Sequence, residues 1–114
     1  MGEQSEVLKG TLDLIVLKTL AAMGPLHGYA IARRIEQVSD DQLQINQGTL
    51  YPALLKLHQR GWIAAKWAES STGRRVKVYE LTRRGIQQLQ TEETDWKRSA
   101  GIVTRFFRLP KESK

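Results

Sequence analysis

From Thr82 to Leu109 the chain carries its large apolar residues at Ile86, Leu89, Trp96, Ala100, Val103 and Phe107, with Glu93 interrupting. Counting Glu93, the spacings alternate three and four without a break. That is the seam of a helix packed against another helix along its length. Such a helix runs about seven turns, and a small domain has no surface long enough to cover it. A second copy of the chain is the economical cover; a helix folded back on its own domain is the competing one. Leu109-Pro110 stops the helix, and the Lys111–Lys114 tail is expected to fray.

The preceding sequence reads as one compact domain, so the expected division is 1–81 for that domain and 82–114 for the rod. With 114 residues, 40% of them hydrophobic, the chain can bury roughly two thirds of its unfolded surface. Between Leu8 and Met23 one helix face carries Leu12, Ile15, Val16, Leu20 and Met23, and Leu14, Leu17 and Ala21 form a second apolar face. A helix apolar on most sides belongs at a domain centre or in a subunit interface. Gly24-Pro25 stops it. His27-Gly28-Tyr29 opens a second helix, with Ile31, Ile35 and Val38 expected to face the core. Ser39-Asp40-Asp41 reads as a loop and Leu43-Gln44-Ile45 as a very short strand.

A third helix spans 46–60, with Asn46 as its N-cap and Gly61 at its end. Leu50, Leu54 and Leu57 form its core stripe. Its other edge carries Gln47, Thr49, Tyr51, Lys56, Gln59 and Arg60, donors and cations without a carboxylate. Pro52 crowds the carbonyl of Gly48, so an irregular or kinked first turn is expected. Trp62–Glu69 and Arg74–Leu81, separated by Ser70-Ser71-Thr72-Gly73, alternate as a two-stranded hairpin with Ile63, Ala65 and Trp67 on one face. Three helices followed by a basic-tipped hairpin make a winged helix-turn-helix, mainly α with a small β-hairpin. In that arrangement the third helix enters a DNA major groove and the hairpin, at 70–77, follows the backbone or minor groove.

Charge placement points the same way. The net charge is +6, and the segment from Asn46 to Arg84 holds eight cations against Glu69 and Glu80, so it carries the whole excess. A basic block within a folded segment suits phosphate, because each neutralised phosphate releases condensed counterions. A solvated basic face or an acidic-membrane contact is the plainer alternative.

Other chemistries are disfavoured. There is no cysteine, hence no disulfide, thiolate metal site or cysteine nucleophile. His27 and His58 lack ligand spacing around them, so no metal is expected. Neither a nucleophile–base constellation nor a phosphate loop is present, so the chain is not expected to be an enzyme, and no cofactor is implied. No apolar run approaches the ~20 residues needed to cross a bilayer. The polar, acidic Met1–Glu6 start is unlike a secretory leader, so a cytoplasmic location is expected.

Several of these residues together resemble the PadR family of bacterial transcriptional regulators. The matching pieces are Leu8-Lys9-Gly10-Thr11-Leu12, Gly28-Tyr29, Gly48-Thr49-Leu50-Tyr51-Pro52-Ala53-Leu54, Leu57, Gly61-Trp62-Ile63, Gly73-Arg74-Arg75 and Tyr79-Glu80-Leu81-Thr82-Arg83-Arg84-Gly85. The likeness covers nearly the whole chain, and the single helix after the wing looks like the family's short branch. It implies a homodimeric repressor acting on a palindromic double-stranded operator. It also implies DNA contacts by Tyr29, Gln47, Gly48, Thr49, Tyr51, Pro52, Lys56, Arg74, Arg75 and Lys77. The family's dimer helix maps onto Ile86 through Phe107, including Leu89, Trp96, Ala100 and Val103, with Leu12 and Val16 of the first helix joining that interface. Val78 stands where an aromatic is frequent. Gln47 stands where the family varies, which leaves base preference open.

Residue chemistry assigns roles within that set. Gln47 can pair bidentately with adenine, and Thr49 offers a hydroxyl and a methyl, although capping is an equal use for it. Tyr29 and Tyr51 suit phosphate hydrogen bonds, whereas Tyr79 suits burial. Lys56, Arg74, Arg75 and Lys77 suit phosphates, with one wing arginine able to probe the minor groove. Trp96 reads first as an anchor of the dimer seam and second as the wall of a flat aromatic-effector pocket between subunits. A winged helix used only for protein–protein contact is the rival from another class.

Overall fold

The computed structural model describes residues 2–112, with side chains from Thr11 onward. The side chains of Leu8-Lys9-Gly10 and the Ser113-Lys114 end, which was expected to fray, lie outside the described residues. The elements run α1 (Gly2–Met23), β1 (Leu26–His27), α2 (Gly28–Val38), α3 (Gln47–Gln59), β2 (Ile63–Glu69), β3 (Arg75–Leu81) and α4 (Arg83–Phe107). The chain is mostly helical with one small antiparallel sheet, the winged helix architecture expected from its sequence.

The core forms where the apolar faces of α1, α2 and α3 meet the base of the sheet. Val16 and Leu17 of α1, Ile31 and Ile35 of α2, and Leu50, Leu54 and Leu57 of α3 are buried around Ile63 and Tyr79. Asn46 caps α3 by accepting the Thr49 amide proton on Oδ1 (2.9 Å). The helix then runs unbroken through Pro52. The expected irregularity reduces to the Asn46 carbonyl, which accepts from both the Thr49 and Leu50 amides. Gly61 turns the chain at φ +79°, a left-handed conformation that costs glycine little.

The sheet has three strands in the order β1-β3-β2, not the two of a simple hairpin. Leu26 and His27 pair with Tyr79 and Val78, along the edge of β3 opposite β2. Leu43-Gln44-Ile45 forms no strand: both edges of β3 are taken, and the segment is held as a bend by the Leu43 amide donating to Ser39 Oγ (3.0 Å). Ile45 is buried there as a core plug. Val38, expected in the core, is 72% exposed, and Met23 and Ala21 are exposed as well. All three lie at or near helix ends, beyond the reach of the layer that covers Ile31, Ile35 and Leu20.

Thr82 locks the wing to the last helix. Its Oγ1 donates to the Gly61 carbonyl (2.6 Å) and accepts from the Gly85 amide (3.0 Å). A Cβ at Gly85 would collide with the Trp62 carbonyl oxygen, so only glycine fits. The first half of α4 lies along α1 and places Leu89 in the core. Glu93, the odd member of the seam, binds Lys97 (3.0 Å) on its own helix and Lys18 (3.4 Å) on α1. Lys97 first and then Lys18 hold its carboxyl below the ordinary carboxylate value.

The residues expected at the contact between copies fall into two groups. Leu12, Val16 and Leu89 are buried in the chain's own core, so they offer no surface to a second copy. The other seam residues are different: Ile86, Trp96, Val103 and Phe107 are exposed, and Ala100 is half-buried. From Gly101 on, every described residue is exposed. The radius of gyration, 17.0 Å, accordingly exceeds the about 13 Å of a compact chain of this length.

Candidate nucleic-acid interface

The polar edge of α3, the start of α2 and the inner face of the wing enclose one cleft of about 590 Å³. It brings together Tyr29, Gln47, Tyr51, Arg74, Arg75 and Lys77, six of the residues expected to contact DNA. The arrangement begins at Gly28, where an added Cβ would stand 2.7 Å from the Tyr51 hydroxyl oxygen. Glycine there lets the Tyr51 ring settle across the start of α2. His27 caps that helix by accepting the Ala30 amide proton on Nδ1 (3.3 Å), and its ring stacks with Tyr29 at a centroid distance of 6.5 Å. Tyr29 remains well exposed, with its hydroxyl available to a ligand.

Gly48, Thr49 and Pro52 are exposed on α3 but lie outside the cleft lining. Thr49 is not the cap: Asn46 supplies that oxygen and takes only the Thr49 backbone amide. A Cβ on Gly48 would sit 3.3 Å from the capping Asn46 oxygen, which favours glycine beside the cap. Lys56 differs from expectation. Its ammonium reaches back to Asp13 on α1 (2.9 Å), so it first serves to tie α3 to α1.

The wing supplies the cleft's charge. Lys66 pairs with Glu80 (3.6 Å). Among the described residues, no ion pair engages Arg74, Arg75 or Lys77. Arg75 instead lies over the Trp67 ring at 4.9 Å, and Lys77 approaches the same ring at 5.9 Å. Trp67 follows the alternation of Ile63 and Ala65 along one face of the hairpin, yet it is 58% exposed. The strand outruns the helices that cover its base, so Ile63 is buried, Ala65 half-buried and Trp67 free. Its grouping with cations on the opposite strand was the signal available in the sequence. Tyr79, on the same face nearer the core, is buried; burial, and then neighbouring Tyr51, push its phenol up.

The arrangement has amide, hydroxyl and cationic groups on one concave face and no metal-type cluster of His, Cys, Asp and Glu among the described residues. Such a surface can hydrogen-bond base edges and hold phosphates. Fold and cleft together define a winged-helix protein of the DNA-binding class.

The chain matches the transcriptional regulator PadR-like family over residues 16–91 and belongs to it. It is thus a DNA-binding transcriptional regulator and not an enzyme. A solved transcriptional regulator from Clostridium thermocellum is 28% identical, with 89% of this chain and 97% of that one covered and a TM-score of 0.79. A PadR family transcriptional regulator from Eggerthella lenta is also 28% identical, over 92% and 88%, with a TM-score of 0.76. A PadR-like regulator from Bacillus cereus has the same fold (TM-score 0.80, 92% and 99% covered) at 23% identity. An uncharacterized protein of Lysinibacillus sphaericus is 27% identical over 91% of this chain and 94% of its own length. No described helix is long and apolar enough to cross a membrane.

Proposed function

We propose that the chain is a homodimeric, sequence-specific repressor that acts on palindromic duplex DNA in the cytoplasm. The observation that carries the reading is the shared cleft: Gln47 and Tyr51 on α3 face the same concavity as three wing cations free of ion pairs. In this reading Gln47 and Thr49 meet base edges in the major groove, Tyr29 and Tyr51 bind phosphate oxygens, and Arg74, Arg75 and Lys77 neutralise the backbone. Gly48 and Pro52 let α3 approach the groove closely, and Lys56 reaches phosphate only by exchanging its Asp13 partner. The exposed Ile86, Trp96, Val103 and Phe107 supply the contact between copies, supported by the exposure of every described residue from Gly101 onward.

Salt titration tests the DNA reading. Affinity for a mixed-sequence 30-base-pair duplex should fall linearly on logarithmic axes as salt rises, in proportion to the phosphates neutralised. Absence of binding at low salt would favour the protein–protein use of the same fold.

A second reading has its own observation. A cavity of about 420 Å³ lies between α1, the end of α2 and α4, walled by Leu14, Ile15, Met23, Val38 and Trp96. Arg34 also lines it, as do Lys18 and Lys97, both paired with Glu93, so the three cations there outnumber the one carboxylate. A flat aromatic effector bound there beside a second subunit would shift the separation of the two recognition helices relative to half-sites about 34 Å apart. In a Trp62→Phe, Trp67→Phe background, quenching of the remaining Trp96 fluorescence by flat aromatic anions should accompany weaker DNA binding. Quenching without any change in DNA affinity would leave the site unlinked to regulation.

A further inference from the structure

The most informative feature the DNA-contact assignment leaves unused is Trp67. A large aromatic residue 58% exposed on a projecting strand has no packing reason to be there, since the base of the hairpin is already sealed by Ile63 and Tyr79. Register places Trp67 directly opposite Lys77 and Glu69 directly opposite Arg75. The Arg75 guanidinium nevertheless lies over the indole, 4.9 Å from its centroid, and forms no ion pair with the carboxylate facing it. Lys77 flanks the same ring at 5.9 Å. All three side chains line the cleft that also contains Gln47 and Tyr51.

We infer that Trp67 is a positioning residue of the wing: its indole face orients Arg75 and Lys77 toward the cleft so that both cations meet the duplex backbone already ordered. The inference rests on the DNA-binding reading. Its physical basis is that stacking occupies the face of a guanidinium and leaves its edge N–H groups free for bidentate contact with phosphate. A pair with Glu69 would use those same N–H groups and cancel the charge. Orienting long side chains before binding also removes part of the entropy lost on association. The indole acts through the cations and touches no DNA itself.

Substitution at an exposed position should leave the fold intact, so Trp67→Leu and Trp67→Phe can be compared directly on the full-length chain, with melting temperature as the control. The probe is a mixed-sequence 30-base-pair duplex at low salt. Trp67→Leu should weaken binding about two- to five-fold, the range expected of a surface cation–aromatic contact, and Trp67→Phe should restore most of the loss. In an Arg75→Gln, Lys77→Gln background, Trp67→Leu should have no further effect. A full Trp67→Leu loss persisting in that background would overturn the inference, because the indole would then act on DNA directly. Equal affinities for wild type and Trp67→Leu would overturn it too, while leaving DNA binding in place. A wild-type chain that ignores the duplex would remove the DNA-binding reading and this inference with it.

Discussion

Helices α3 and α4 carry similar apolar patterns and meet opposite fates. In α3 the stripe of Leu50, Leu54 and Leu57 is buried at every position. In α4 the seam reaches the core at Leu89 alone: Ile86 before it is exposed, and beyond it the seam emerges through Trp96 and Val103 to Phe107, which is 82% exposed. Spacing therefore identifies the face that gains by being covered, while the length of the element against the size of the domain decides what can cover it. The short helix finds its cover within the chain. The long one is exposed at every described position from Gly101 onward, and that uncovered length is the physical argument for a second copy.

The largest expected effect lies in α3. Leu57→Ala removes a fully buried side chain and should destabilise the fold by about 2–5 kcal/mol. Denaturant midpoints should shift equally at all protein concentrations; a loss that diminishes as concentration rises would move Leu57 into the interface class. The mirror experiment is Trp96→Ala. It should weaken self-association by about 2 kcal/mol or more, as burial of a tryptophan anchor implies, and make melting depend less on protein concentration, because a dissociated chain unfolds without mass-action help from its partner. An unchanged sedimentation profile at low micromolar concentration would leave the exposed seam without its proposed role.

Smaller effects separate the two arms of the cleft. Gln47→Ala should cost about 1–3 kcal/mol on a selected operator and little on random DNA. Arg74→Ala should weaken both alike and reduce the salt slope by about one. Equal losses on both sequences for Gln47→Ala would contradict its assignment to a base edge. The smallest effect belongs to Glu93. Because its folded carboxyl titrates below the ordinary value, its contribution is present above the ordinary carboxylate range and vanishes as pH falls through the folded value. Wild type and Glu93→Gln should therefore differ in melting temperature near neutral pH and converge in acid.

Much of this was legible in the sequence because it depends on local chemistry. Asn46 as a cap, Gly61 as a stop and the alternation of the hairpin follow from rules acting within a few residues. What was not legible depends on tertiary placement. Leu26–His27 becomes a strand only because β3 offers a free edge, and the same pairing leaves Leu43–Ile45 with none. Lys56 finds Asp13 from 43 positions earlier in the chain, a contact between helices that periodicity cannot show. Trp67 follows the right alternation but stands past the end of the covering layer. For the site, residue types indicated the polar edge of α3 and the cationic wing; the fold adds that they share one cleft and that Lys56 stands apart from it.

Stoichiometry on DNA tests the account most directly. Sedimentation velocity of the chain with a 30-base-pair duplex carrying a selected palindrome should reveal two chains per duplex at low salt, released together as salt rises. A saturated complex holding one chain, or a pair bound with no dependence on salt, would contradict an account built on twin cationic clefts joined through α4.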